Sequence, residues 1–344
     1  MSLRIELFDP RHARVTDRFV LTHPQGSPFH ESRWLDLVRA TFGFETQTLV
    51  AWRGREVSGV LPLALVTAPI TGRRLVSVPF GVYGGILAAD VESLHALDEY
   101  AVLLAKRTGS RFLELRFLGQ GPTQHHSVGL YETYRRELPR TAADVLLTIP
   151  RKARAEVRKG RERHGLRLVA GDQLFDAFYR LYLINKRSLG SPVFAPSYFQ
   201  RLLDLYGPRA MLHGIVQGDR VLAAVLSLQS GPVLYPYYSG AEKGVDRLGG
   251  NNALYAALME EAVRRGLSVF DFGRSRSGSG PANFKRHMGF LPTPLDYQFY
   301  FPRGGRPPGI NPGNPAMALP RRLLASLPLW LARTLGPAIM RHVP

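Results

Sequence analysis

Two stretches of the chain follow the same local plan at a nearly fixed separation, and this repeat restricts the fold more than any other feature. Residues 46–65, TQTLVAWRGREVSGVLPLAL, read as an apolar strand, a polar turn at Arg53-Gly54-Arg55 and a second apolar strand. Residues 211–228, MLHGIVQGDRVLAAVLSL, repeat the pattern around Gln217-Gly218-Asp219, with Gly54/Gly218 and Val57/Val221 both 164 residues apart. Each is a β-hairpin signal. An aromatic-glycine strand is expected after each hairpin, at 79–87 (PFGVYGGIL) and 234–241 (LYPYYSGA). Amphipathic helices follow, carrying Leu94, Leu97, Ala101 and Leu104 in the first case and Leu254, Leu258 and Ala262 in the second. Both helices close on basic residues and a glycine, Gly109 and Gly266, and a buried strand comes next, FLELRF at 112–117 and VFDFGR at 269–274. Arg107/Arg264, Gly109/Gly266, Phe112/Val269 and Glu114/Asp271 all differ by 157. One such match means little; the same element order with four coincident offsets indicates duplication of an α/β unit.

The 344 residues suit two domains of ordinary size. A boundary is expected near 140–150, where Pro139 and Pro150 bracket a short strand, VLLTI. This gives an N-terminal unit over 1–145, a C-terminal unit over 146–301, and a tail over 302–344. The second unit opens on RKARAEVRKGRERHGLRL, a basic helix with eight Arg or Lys against two Glu, ended by Gly165. Such a run is either a solvated face or an anion-binding one. The absence of cysteine excludes disulfides, thiolate metal sites and a Cys nucleophile. No metal is expected: His125 and His126 are adjacent, poor geometry for one site, and there is no H-E-x-x-H. The G-x-S-x-G elbow of serine hydrolases is missing as well. A net charge of +18 attracts nucleic acid, anionic lipid or phosphate-bearing cofactors, yet also follows from an arginine-favouring base composition, so charge alone predicts no DNA binding. With no signal peptide visible and no run of about 18 apolar residues, a cytoplasmic protein is expected, peripheral on the inner membrane at most.

Ligands of strand–helix–strand units gather at the carboxyl ends of the parallel strands. The turn before the second helix, Arg247-Leu248-Gly249-Gly250-Asn251-Asn252, offers glycines and helix-opening amides to a phosphate, although Asn251 or Asn252 also reads as a simple N-cap. A hairpin, an aromatic strand, a helix whose N-terminus faces a phosphate and a following strand resemble the core of the GNAT acyltransferases. Their phosphate loop is R-x-x-G-x-G/A; Arg247 and Gly250 match it, and Asn252 replaces the last small residue. The first copy has no such loop, which counts against donor binding there. Over residues 20–300 the chain resembles the FemAB-like proteins, which carry two GNAT-like units in tandem. The motifs that bear this out are PFGVYGGIL, the basic helix at 151–165, NKRSLGSPVF at 185–194, FDFGRS at 270–275 and FKRHMGF at 284–290. Within that group it looks most like the FemAB-related proteins of exopolysaccharide and exosortase (PEP-CTERM) systems. The implied fold is α/β with mixed sheets, in two duplicated GNAT-like units. The implied activity is transfer of an acyl or aminoacyl group to an amine or hydroxyl of a cell-envelope or exopolysaccharide intermediate, with acyl-CoA or aminoacyl-tRNA as donor.

By this resemblance Lys285, in the F-K motif beside Phe284, stabilises an oxyanion or leaving group. Tyr238, or its neighbour Tyr237, would protonate a leaving group, and Tyr83 is its counterpart in the first copy. Asp271 orients Arg274 or takes a proton, or else is a buried carboxylate paired with a neighbouring arginine. His287 is a further candidate base. Asn185 and Arg187, before the turn Gly190-Ser191-Pro192, form a candidate acceptor loop, since a guanidinium suits phosphate or carboxylate. Two other readings stay open: a CoA-dependent N-acetyltransferase on a small or sugar acceptor, and a non-catalytic module binding nucleic acid or a membrane surface. The tail begins with a Pro/Gly run over 302–320, expected to be extended. It ends in a basic helix with Leu323, Leu327, Leu331 and Leu335 four apart and Trp330 beside them, interrupted by Pro328 and Pro337. That helix suits a lipid interface or packing on the body.

Overall fold

Gly54 (φ +63°) and Gly218 (φ +59°) take the left-handed conformation that a tight hairpin turn needs and that a Cβ opposes. Both hairpins form around them in the computed structural model, which describes residues 2–69, 72–307 and 318–342. The chain divides into two units, Met1–Glu132 with Thr293–Gly309 and Arg341–Pro344, and Thr133–Pro292 with Ile310–Met340.

The first unit runs β1 (Leu3–Leu7), α1 (Ala13–Thr22), α2 (Ser32–Phe42), β2 (Glu45–Arg53), β3 (Glu56–Ala68), β4 (Gly72–Ser77), the short β5 (Leu87–Ala88), α3 (Val91–Arg107) and β6 (Leu113–Leu118), then enters β7 (His126–Glu137). The second holds the end of β7, then α4 (Val145–Thr148), α5 (Arg151–Arg158) with a π-helical turn to Arg163, β8 (Arg167–Ala170), α6 (Phe175–Ser188), α7 (Pro196–Tyr206), β9 (Ala210–Gln217), β10 (Arg220–Ser230), β11 (Val233–Ala241), α8 (Gly250–Arg264), β12 (Val269–Arg276) and α9 (Gly280–His287). From Thr293 onward β13 (Pro292–Tyr300) lies in the first unit, and the tail helices α10 (Ala318–Ser326) and α11 (Leu329–Met340) lie in the second.

The duplication is visible in the pairings. In the first unit the strand order is β1-β2-β3-β4-β6-β13, antiparallel up to β4, with β4 parallel to β6 from Leu75↔Leu113 to Ser77↔Leu115. In the second the order is β8-β9-β10-β11-β12, antiparallel up to β11, with β11 parallel to β12. α3 and α8 supply the crossovers, and their C-terminal bonds recur at the predicted offset: Ser110 N–H donates to the Ala105 carbonyl (3.0 Å) and Leu267 N–H to the Ala262 carbonyl (2.9 Å). Each unit buries its own core. Leu49, Leu61, Leu75, Leu97, Ala101 and Leu115 lie in the first; Val225, Leu254, Leu258, Ala262, Phe270 and Phe290 lie in the second.

Three expectations are corrected. The stretch 79–87 is not a strand up to Leu87, where the short β5 begins. Side chains take its carbonyls instead of a ladder: Trp34 Nε1–H donates to Pro79 (3.1 Å), Arg116 to Val78 (3.0 Å) and Gly81 (2.9 Å), Tyr297 O–H to Val82 (2.7 Å) and His30 Nε2–H to Gly85 (3.0 Å). VLLTI is also not a strand. Thr141 Oγ1 accepts from Asp144 N–H (3.3 Å), opening a turn that continues into α4, so Val145 and Ile149, four apart, enter the core together. Finally, the tail is two helices, because Pro328 follows α10 and starts a new one. Of the expected extended run over 302–320, residues 308–317 lie outside the described residues.

Candidate active site

β11 and β12 begin as neighbours and then part. They pair at only two positions, Val233↔Val269 and Leu234↔Phe270, although β11 continues to Ala241 and β12 to Arg276. Beyond the second pair the ladder between them ends, and buried backbone groups need partners. Side chains provide them. On β12, Gly273 adopts φ +67°, which turns successive carbonyls toward one point. There the Lys285 ammonium donates to the carbonyls of Phe272 (3.0 Å), Gly273 (2.7 Å) and Arg274 (3.3 Å). An ammonium has three N–H donors, matching these three acceptors. Asp271, 1% exposed, accepts from Gly273 N–H (2.8 Å) and Thr133 Oγ1–H (3.1 Å). On β11, Asn185 Nδ2–H donates to the Ser239 carbonyl (3.0 Å). α6 approaches so closely here that a Cβ on Gly240 would lie 2.3 Å from the Leu181 backbone. Lys285, Asp271 and Asn185 thus bond the backbone of the two strands beyond their paired residues.

The fork has a defined lining. The register shifts between Leu226 and Ser227, which face Tyr238 and Pro236, so β11 bulges at Tyr237. Tyr255, on α8, meets both arms: its hydroxyl reaches Ser239 Oγ (3.4 Å), and its ring packs on Phe272 (4.7 Å between centroids) and Phe284 (5.6 Å). Burial, tempered by the Ser239 contact, pushes the Tyr255 phenol above its ordinary pKa, so it carries its proton at neutral pH. Lys186 on α6 sits over the Tyr182 ring (5.7 Å). Desolvation first and the charge of Arg274 second lower its pKa.

Among the other predicted residues, Tyr238 is buried in an aromatic cluster with Tyr182, Phe194 and Phe199 and shares a 2.7 Å hydrogen bond with the Tyr198 hydroxyl. Burial first, then the neighbouring tyrosines, raise its pKa well above the usual phenol value. Phe284 lines the fork, Arg274 is exposed at the end of β12, and Arg187 is half-buried at the end of α6. His287 is exposed, and Tyr83, in the first unit, is buried against Phe29. In the 247–252 turn, Arg247 is exposed and Asn251 donates to Asp246 (2.7 Å). Asn252 is buried with its amide on Met288 Sδ (3.3 Å). The glycines answer a packing need. A Cβ on Gly249 would lie 2.2 Å from the Glu156 carbonyl of α5, and one on Gly250 would lie 2.3 Å from Val245 Cγ2. Tyr255 is five residues into α8 from Gly250, about 7.5 Å along its axis, so the helix-opening amides lie near the fork. Tyr255 and Lys186 were missed in the sequence. Tyr255 sits among Leu254 and Leu258 in an apolar helix and reads there as core. Among the described residues no group of His, Asp and Glu is placed to hold a metal.

Residues 150–286 match the Acetyltransferase (GNAT) domain family, so the chain carries a GNAT-type acyltransferase domain. No curated protein matches the chain in sequence. Solved structures share the fold. FemX has a TM-score of 0.65 at 16% identity, covering 85% of this chain and 97% of its own. A tandem GNAT protein from the clavulanic acid biosynthesis pathway has 0.56 at 14%, covering 89% and 100%. L-PGS from Bacillus licheniformis has 0.56 at 14%, covering 93% and 98%.

Proposed function

We propose that the second unit performs acyl transfer in the fork between β11 and β12, moving an acyl or aminoacyl group onto an amine or hydroxyl of a cell-envelope or exopolysaccharide intermediate. The observation that carries this reading is the fork itself: two parallel strands that pair at two positions and then continue unpaired in the ladder, with Lys285, Asp271 and Asn185 bonding their backbone beyond that point. The residues present fit an acyl donor. Its carbonyl would lie beside β11 at the Tyr237 bulge, and its phosphate-bearing portion would face the first amides of α8. The donor supplies an activated acyl carbon. The chain orients it and controls one proton, with Tyr255 kept protonated to give it to the leaving group. Lys285 and Asp271 act here as positioning residues, while Arg187, Arg274 and Phe284 are the candidate acceptor contacts. The resemblance to FemAB-related proteins favours an envelope or exopolysaccharide acceptor. The TM-scores to FemX and to a tandem GNAT protein leave both donor classes in play.

Direct binding tests the reading. Purified protein is titrated with labelled acetyl-CoA and with charged and uncharged aminoacyl-tRNA at several salt concentrations, because a basic protein holds RNA through counterion release that fails as salt rises. Salt-resistant retention of acetyl-CoA, weakened by a bulky substitution at Ser239, identifies a CoA donor. Discrimination of charged from uncharged tRNA identifies an aminoacyl donor. Retention of neither ligand at moderate salt overturns the proposal.

A further inference from the structure

The tail helices are only half used by the fold. One side of α11 is buried in the second unit at Ala332, Gly336 and Met340; a Cβ on Gly336 would lie 2.4 Å from Val193 Cγ2. The Arg333 guanidinium lies over the Tyr179 ring (5.7 Å). α10 is held as firmly. Its Arg321 donates to the Leu189 carbonyl (3.3 Å), and its backbone comes so close to Gly190 that a Cβ there would lie 2.3 Å from the Arg321 carbonyl oxygen. The helices are therefore fixed, and their remaining apolar side chains are not waiting for a place in the core. Those side chains are large and outward: Leu319 is 67% exposed, Leu323 59%, Trp330 67% and Leu335 44%. Trp330 is notable because the other two tryptophans, Trp34 and Trp52, are buried. Alongside them Arg322, Arg333 and Arg341 are exposed, and residues 302–344 contain six arginines and no Asp or Glu.

We infer that α10 and α11 form a surface that docks on an anionic lipid bilayer, with Leu319, Leu323 and Trp330 entering the headgroup region and the arginines meeting lipid phosphates. Charge selects this occupant over others. A second copy seated on the same helices would set arginine against arginine with no carboxylate in the tail to pair. A nucleic acid would use the arginines but leave the leucines and tryptophan in water. Only an interface that is apolar below and anionic above satisfies both sets, and indole rings prefer that depth. No helix among the described residues is long and apolar enough to cross a membrane, so the surface lies on the bilayer. This inference does not depend on the acyl-transfer reading.

The full chain is mixed with vesicles of phosphatidylglycerol and phosphatidylcholine, and with phosphatidylcholine alone, then sedimented while tryptophan emission is followed without any donor. With both other tryptophans buried, a blue shift reports Trp330. Binding and a blue shift with anionic vesicles are expected. Leu323→Ser with Trp330→Ser should weaken partitioning roughly tenfold or more, and Arg322→Glu should weaken it chiefly at low salt. Circular dichroism of these surface variants verifies folding. Failure of the wild-type chain to sediment with anionic vesicles at low salt overturns the proposal, as does binding that the Leu323/Trp330 variant retains in full. So does a wild-type dimer that the same variant converts to monomer, since the surface would then be a self-contact.

Discussion

Replacing Lys285 by methionine separates a clamp from a chemical group. Methionine keeps the aliphatic stem but removes all three N–H donors, leaving the carbonyls of Phe272, Gly273 and Arg274 without this partner. Hydrogen bonds to a charged group contribute about 1.5–3 kcal/mol each. Three on one ammonium are not additive, and losing the charge also removes the cost of burying it, since Lys285 is 7% exposed. A net loss of about 3 kcal/mol follows, or roughly 10 °C in the midpoint of the second unit. Urea unfolding followed by circular dichroism measures it, with Lys152→Met as the exposed control, expected within about 0.5 kcal/mol of wild type. If Lys285→Met also falls within 0.5 kcal/mol, the clamp argument is refuted. If such a stable variant has lost turnover, the lysine acts on the substrate rather than on β12. The clamp argument itself predicts loss of stability together with weaker donor binding, because β12 is then free to close on β11.

The other predictions probe separate parts of the same construction. Tyr255→Phe keeps the ring contacts with Phe272 and Phe284 and should leave donor binding within about twofold while lowering kcat roughly 10²-fold, with loss of the alkaline limb of the pH–rate profile; unchanged kcat would exclude Tyr255 as the proton donor. Gly240→Ala should destabilise the second unit by more than about 2 kcal/mol in thermal or urea unfolding, because its Cβ meets backbone rather than a movable side chain. His30, fully buried, has its pKa lowered to about 3, chiefly by desolvation. The folded state thus refuses a proton that the unfolded chain accepts near pH 6.5. Its stability contribution is complete above that pH and is lost as pH falls toward 3, about 2 kcal/mol by pH 5. His30→Gln should flatten this slope in pH-dependent urea titrations of the first unit.

The duplicated plan was legible because hairpin turns, helix faces and helix ends each leave a local mark. Gly54 and Gly218 announce their turns, and Gly109 and Gly266 announce their helix ends. The misreadings share one cause. In 79–87 and in 145–149 the apolar pattern suits a strand, but the partners of the backbone are distant: Trp34, Arg116 and Tyr297 in the first case, Thr141 and the second unit's core in the second. Local periodicity carries no information about such partners. The same limit shaped the site. The sequence singles out Lys285, Asp271, Asn185 and Phe284 as candidates, yet it cannot say that the first three bond backbone. Tyr255 was hidden in a run of leucines and alanines.

The two units answer one problem in different ways. A strand–helix–strand repeat whose parallel strands pair over two or three residues leaves backbone edges that must be satisfied. The first unit ends β4 at Ser77 and fills the space beside β6 with its own chain, Gly84 and Gly85 N–H both donating to the Arg116 carbonyl (3.1 and 2.8 Å). A Cβ on Gly85 would lie 2.6 Å from Phe117, so that filling is tight and leaves no room for a ligand between these segments. The second unit keeps both strands long, and Lys285, Asp271 and Asn185 bond their backbone beyond the paired residues. If the donor enters between parallel strands, as proposed, the first unit has that space filled by its own chain. Grafting the β12 clamp onto β6 would therefore not open a second fork unless residues 78–86 were also removed.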